Sequence, residues 1–445
     1  MALGFRVLTL RWLGEQSHLS AALEPLGYVT MVNLDPSALR ARFPALTRTV
    51  DGRPCVFADA PGGTQVPESV IEAMGAYLRT SNANTHGAFV TSTETDHLIE
   101  EAHRVGADLL GCGPDEVVFG PNATTLLFAL SRSVARTLGP GDEIVVTRLD
   151  HDANIRPWLM VAEDSGATVR WVDVRDDDVT IDLASFEDAL TDRTKVVAFT
   201  LASNAVGTVT PAAELARAAH DVGALVVCDG VHVAQHRLID VQAIEADVVV
   251  CSPYKIFGPH LGILFGRREL LGSWRPYKVR PANEDVPHRW ETGTQNHEGL
   301  AGFVAAVDYL ADAGRAYGNP SGARRRDAIA AAFEAIGAHE AILSRRFLDG
   351  IDIIGDLRLF GIADTDRVEE RTPTFAVRLG DQHPLETAKL LGERGIFVWD
   401  GHYYALELME RLGLEETGGA VRVGFCHYNT GQEVDRVLAE LASLT

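Results

Sequence analysis

Two short stretches combine residue types that a covalently held organic cofactor needs. One β-branched run, Ala224–Cys228, ends in Asp229-Gly230-Val231-His232, and another ending at Cys251 leads into Ser252-Pro253-Tyr254-Lys255. Taken singly, an aspartate at a strand end is commonly a helix cap, and a lysine after a buried strand is commonly solvated. Together they offer a carboxylate to keep a ring nitrogen protonated and an amine to hold an aldehyde as an imine. That amine, once displaced by substrate and lowered in pKa by its neighbours, is the natural base for a Cα proton.

Three further segments suit the same chemistry. Gly120-Pro121-Asn122-Ala123-Thr124-Thr125 opens a helix expected over 126–136 and presents backbone N–H groups and hydroxyls to a dianion. Helix capping by Asn122 or Thr124 accounts for that segment equally well. Asp150-His151-Asp152-Ala153-Asn154 follows the run Glu143–Thr147 and puts an imidazole where it can stack on a ring, although a lone loop histidine is more often solvated. Ser203-Asn204 follows Lys195–Thr200, and the Asn204 amide can donate to a phenolic oxygen.

The elements that must position these residues form a βαβ series. Strands are expected at Glu116–Phe119, Glu143–Thr147, Val169–Val174, Lys195–Thr200, Ala224–Cys228, Asp247–Cys251 and Gly262–Phe265, separated by helical lengths or Gly and Pro punctuation. Continuous apolar strands imply burial on both faces, hence an α/β fold with a mostly parallel sheet that carries ligands at the strands' carboxyl ends. After residue 310 the pattern changes to a long amphipathic helix over 323–348, strands at Thr374–Arg378 and Val421–Phe425, and a terminal helix from Gln432. The expected organisation is a large domain over 51–310, a smaller α+β domain over 311–445, and a segment 31–50 associated with the smaller one. Residues 1–30, interrupted by Arg6, Arg11 and Glu15, read as a weakly ordered extension and not as a signal peptide.

Composition excludes several classes. A formal net charge of -22 repels phosphate backbones and anionic membranes, so no nucleic-acid or membrane partner is expected. Five cysteines without CxxC-like spacing suit a reduced, cytoplasmic setting with neither disulfide framework nor metal site.

The order of these segments resembles the class-V aminotransferase and cysteine desulfurase family, with its cysteine-desulfurase-like subgroup the nearest match. The resemblance covers residues 31–445. It is carried by His151-Asp152-Ala153-Asn154-Ile155 with Pro157-Trp158, Ser203-Asn204-Ala205-Val206-Gly207, Asp229-Gly230-Val231-His232, Ser252-Pro253-Tyr254-Lys255, Trp290-Glu291-Thr292-Gly293-Thr294, and Arg422 with Tyr428-Asn429-Thr430. It implies a fold type I transferase dependent on pyridoxal 5′-phosphate, with a large seven-stranded sheet domain and a smaller C-terminal one. It further implies Lys255 as the Schiff-base lysine, Asp229 as the pyridinium partner, His151 as the stacking ring, and Asn204 with His232 near the phenolic oxygen. Thr124, Ser252 and Tyr254 would bind the phosphate, although the family more often has Gly at Ala123 and His at Tyr254. Thr294 would reach the phosphate of a neighbouring subunit, which implies a homodimer with shared sites. Arg422 would grip the carboxylate of an amino-acid substrate, and Asn84 and His86 match a site-rim segment.

One departure bears on the reaction. The stretch matching the family's mobile loop, Trp399-Asp400-Gly401-His402-Tyr403-Tyr404, lacks the cysteine that accepts sulfur, and Trp399 stands where the family has a second arginine. The resemblance then implies an external aldimine and a Cα carbanion, with loss of a sulfur group from Cβ favoured over aminotransfer or epimerisation. A non-catalytic partner protein on the same fold is the remaining alternative.

Overall fold

The computed structural model describes residues 34–445, which form one compact body; the expectation for residues 1–30 lies outside them. Seven strands make the central sheet: β1 (Val117–Gly120), β2 (Glu143–Thr147), β3 (Thr168–Val172), β4 (Thr194–Thr200), β5 (Leu225–Asp229), β6 (Val248–Cys251) and β7 (Gly262–Gly266). Their spatial order is β1-β7-β6-β5-β4-β2-β3. Only β7 runs antiparallel to its neighbours, so the other strands send their carboxyl ends to one edge. Each expected strand is present, displaced at its ends by at most two residues.

Both faces of the sheet are covered, which is why β2, β4, β5 and β6 are apolar along nearly their whole length. The helix after β1 begins at Ala123, earlier than expected. Asn122 caps it, its side-chain oxygen accepting from the Thr125 N–H at 2.8 Å. Helices Glu68–Thr80, Val90–Leu110 and His297–Tyr317 pack as a layer on one face.

The smaller sheet is antiparallel, in the order β8 (Leu357–Phe360), β9 (Thr374–Leu379), β11 (Ala420–Gly424), β10 (Trp399–Gly401). Its core includes Phe347, Phe375 and Phe425. Two features blur the expected boundaries at 51 and 310. Val56–Phe57 pairs in parallel with Ile396–Phe397, and Val56 and Ala58 sit in the smaller core, so the chain past residue 51 still belongs with the C-terminal lobe. Helix Arg325–Ile351 contributes Ile329 and Ile336 to the large core and Leu343 and Phe347 to the small one, making it a shared spine. In the N-terminal segment Arg40 Nη1 donates to the Tyr428 carbonyl at 2.9 Å and to Glu433 at 3.0 Å. Among the described residues no helix is long and apolar enough to cross a membrane.

Arg371 fastens the lobes behind the site. It is buried without a carboxylate partner, so burial pushes its pKa down to about 9, and its guanidinium is spent on carbonyls instead. It donates to Thr374 at 2.6 Å, to Val206 and Thr372 at 3.3 Å, and to Ile362. Arg371→Met leaves these carbonyls without donors and should cost about 3 kcal/mol of stability, read as a lower urea midpoint. An unchanged midpoint would show that the carbonyls find other partners.

Candidate active site

The carboxyl ends of the parallel strands and the loop of the smaller sheet enclose one cavity of about 440 Å³. Strand β1 brings Asn122, Ala123 and Thr124 to it, β2 brings His151, β4 brings Asn204, β5 brings Asp229 and His232, and β6 brings Ser252, Tyr254 and Lys255. Arg422 enters from β11, Pro61 and Gly62 from a short 3-10 turn, and residues 399–404 form the remaining wall.

Lys255 ends a 3-10 turn directly after β6, with its amine buried and donating to the Pro61 carbonyl. Burial, and then the nearby Arg422 cation, pull its pKa down to about 7, against the pull of Asp229. Asp229 closes β5, and one carboxylate oxygen accepts from the Val231 N–H at 2.8 Å. Burial raises its pKa to about 6, while that hydrogen bond and Lys255 hold it lower than burial alone would.

His151 presents a neutral ring. Its Nδ1 accepts from the Ala153 N–H at 3.0 Å, so the neutral ring carries its proton on Nε2. Burial, with Lys255 and Arg422 nearby, lowers its pKa to about 3. Asp150, just before it, is fully buried between Thr147 and Asn154, whose amide donates at 2.7 Å. Burial lifts the Asp150 pKa to about 8, which favours the neutral acid at pH 7.

Two buried polar atoms of residues that line the cavity have no protein partner: Asn204 Oδ1 and Arg422 Nε. Arg422 Nη1 donates to the Asn204 carbonyl at 2.8 Å, and its guanidinium lies 4.4 Å from the Tyr403 ring centroid. Asn204 Nδ2 donates to the Tyr403 carbonyl at 2.9 Å. His232 differs from expectation. It lines the cavity, but its Nε2 faces the Thr372 and Thr374 hydroxyls at 3.1 Å each and its Nδ1 faces Gln235 at 3.3 Å. Its nitrogens thus tie the site to the smaller lobe and do not project freely at a ligand.

Three expected residues lie apart from this cavity. Asn84 and His86 are exposed on a loop held by Asp96, which accepts from the His86 N–H at 3.2 Å, and Thr294 is exposed. The Thr294 loop is anchored by buried Glu291, which accepts from the Phe119 N–H at 2.9 Å and pairs with His103 at 3.0 Å. Sequence reasoning missed Asp150, Tyr403 and the Pro61-Gly62 turn. Asp150 was legible as an acid beside His151; Tyr403 and Gly62 act through partners remote in the chain.

The class-V aminotransferase family model matches residues 56–437. The chain belongs to that family. A probable cysteine desulfurase of Streptomyces coelicolor is 34% identical over 429 residues, covering 91% of this chain and 96% of the relative. A cysteine desulfurase of Dickeya dadantii is 32% identical, covering 91% and 95%. The solved apo structure of a cysteine desulfurase from Thermococcus onnurineus superposes with a TM-score of 0.81 at 26% identity, over 92% of this chain and 98% of that one. The protein is therefore a pyridoxal-phosphate-dependent enzyme of fold type I.

The residues present fit that cofactor. A buried amine of depressed pKa, a buried carboxylate and the unpartnered Asn204 and Arg422 atoms surround one cavity, and a twelve-residue helix starts at its edge. Only a neutral amine attacks an aldehyde. Cofactor uptake by the apoprotein should therefore quicken about tenfold per pH unit up to about 7 and level off above it. Asp229→Asn removes the charge that raises the Lys255 pKa, so the midpoint should move to lower pH. Stopped-flow absorbance reads both effects, and a midpoint near the usual lysine value would contradict them.

Proposed function

We propose that this enzyme removes a sulfur group from Cβ of a cysteine-type amino acid by elimination, without passing sulfur to a cysteine of its own. The observation that carries this reading is the wall of the cavity. All five cysteines lie among the described residues, and none of them lines it. Cys228 and Cys251 are inside β5 and β6, and Cys426 follows β11. Burial pushes these three thiols up, and lifts that of Cys112 to about 12, so none is a ready nucleophile. The position facing His151 is the Tyr404 ring, stacked at 5.4 Å and 20°.

Lys255 would hold the cofactor through its amine, and Asp229 would keep a proton on the ring nitrogen. When bound, the cofactor supplies an electron sink for the pair left at Cα. His151, neutral and flat, would stack on the ring. Asn204 and His232 would line its phenolic side, with His232 acting through Thr372 and Thr374. Ala123, Thr124, Ser252 and Tyr254 would hold the phosphate beside the helix start. Arg422, which lines the cavity, would take the substrate carboxylate.

Once the substrate's amino group has taken its place and freed its amine, Lys255 would remove the Cα proton. The Cβ–S bond breaks with its electron pair on sulfur, and sulfur leaves as a thiol or as sulfide once protonated. The unsaturated amino acid left behind takes up one water and yields pyruvate and ammonium.

Given cysteine or S-methylcysteine, the holoenzyme should form pyruvate and ammonium while its mass shows no persulfide. A persulfide adduct with alanine as co-product would restore a desulfurase reading.

We further propose a homodimer in which Thr294 serves the other subunit's phosphate, which agrees with its exposure away from its own cavity. Thr294→Val should weaken cofactor retention about fivefold, the worth of one hydrogen bond, measured by dialysis. An active monomer in analytical ultracentrifugation would refute the assembly.

A further inference from the structure

The wall at residues 399–404 is built around two aromatic rings that the chemistry above does not use. Trp399 is 52% exposed and Tyr404 67% exposed, yet both line the cavity. Wide apolar surface left in water at the mouth of a pocket marks a place where something covers it.

This wall is held in position at a conformational cost. Tyr403 and Tyr404 are consecutive residues in the left-handed region, with φ of 54° and 58°. Bulky residues there are outliers that persist only where their surroundings impose them. Here the surroundings do so. The Asp152 N–H donates to the Tyr404 carbonyl at 2.7 Å, and the Tyr404 N–H donates to His402 Nδ1 at 3.0 Å. Asn204 donates to the Tyr403 carbonyl, and the Tyr403 hydroxyl donates to the Ala420 carbonyl. Tyr403 is thereby laid beneath Arg422, and the next residue's ring is turned out against His151. On the opposite strand end, the Trp399 indole fills the space over Gly62, where any Cβ would run into its Nε1.

The polar groups at this wall sharpen the argument. An amino acid with its carboxylate on Arg422 and its Cα by Lys255 has spent the two cationic side chains that line the cavity. Along residues 399–404 the formal charge is that of Asp400, which disfavours an anionic substituent. What remains for a substituent on sulfur is flat and apolar.

We propose that the substrate is a cysteine whose sulfur carries an uncharged aromatic group, and that Trp399 and Tyr404 select it. The inference rests on the β-elimination reading for its chemistry. In balanced form, S-benzylcysteine and one water give benzyl thiol, pyruvate and ammonium, with the Cβ–S bond broken and no external oxidant or reductant.

The test compares S-benzyl-, S-methyl- and S-carboxymethylcysteine with the holoenzyme. The first two release alkyl thiols of similar leaving ability, so their ratio reports recognition. S-benzylcysteine should exceed S-methylcysteine about tenfold in kcat/KM, through KM, and S-carboxymethylcysteine should be the poorest. Trp399→Ala and Tyr404→Ala should each shrink the benzyl-to-methyl ratio several-fold. Binding of carbon analogues that cannot eliminate, 2-amino-5-phenylpentanoate against norvaline, is measured in parallel by calorimetry. A ratio near one, or one that neither substitution moves, overturns the proposal. Tighter binding of the phenyl analogue that depends on Trp399 and Tyr404, with no pyruvate from any conjugate, sustains the aromatic wall and overturns the elimination reading instead.

Discussion

Two cations and a carboxylate share one buried cavity, and the rest of the molecule is arranged so that they can. Lys255 and Arg422 repel one another in a place that already disfavours charge, and Asp229 opposes only part of that effect. The result is an amine that is about half neutral near pH 7, which makes it a nucleophile and a base at once. Such a site cannot exist on one element. Asp229 and Lys255 come from adjacent strands of the large sheet, whereas Arg422 is delivered by the central part of the small one.

The lobes therefore have to stay in fixed register, and the structure uses shared parts to achieve this. Helix Arg325–Ile351 lies in both cores, and Val56–Phe57 crosses early to pair beside the smaller sheet. Arg371 joins the carbonyl of Val206 to that of Thr374, just behind Asn204. His232 bonds Thr372 and Thr374. A histidine and an arginine facing the same short segment give that segment little freedom, which helps hold β11 and its Arg422 in register with the large sheet.

The chain places two aromatic rings, Trp399 and Tyr404, at its cavity mouth. The left-handed pair Tyr403-Tyr404 shows how one backbone conformation serves two tasks: one ring supports Arg422 and the other meets His151. Substituting either would alter a different part of the site, although the two are adjacent in the chain.

The sequence by itself determined the strand runs, the large parallel sheet and the grouping of Lys255, Asp229, His151 and Asn204, while the family and Arg422 came from the resemblance of its motifs. These are local signals: apolar runs need only their own residues, and a strand-end motif travels with its strand. It also determined that no thiol stands in the loop 399–404. Tertiary structure decided the rest. The layer of helices 68–80, 90–110 and 297–317, the crossing of Val56–Phe57 and the double membership of helix 325–351 depend on contacts between remote segments. So do the engagement of His232 by Thr372 and Thr374, the neutral setting of Asp150, and the position of Asn84, His86 and Thr294 outside the cavity. Burial and charge proximity are properties of the packed body, so the depressed pKa of Lys255 and the strained turn at Tyr403 could be read only once the chain had brought residues 61, 229, 255 and 422 together.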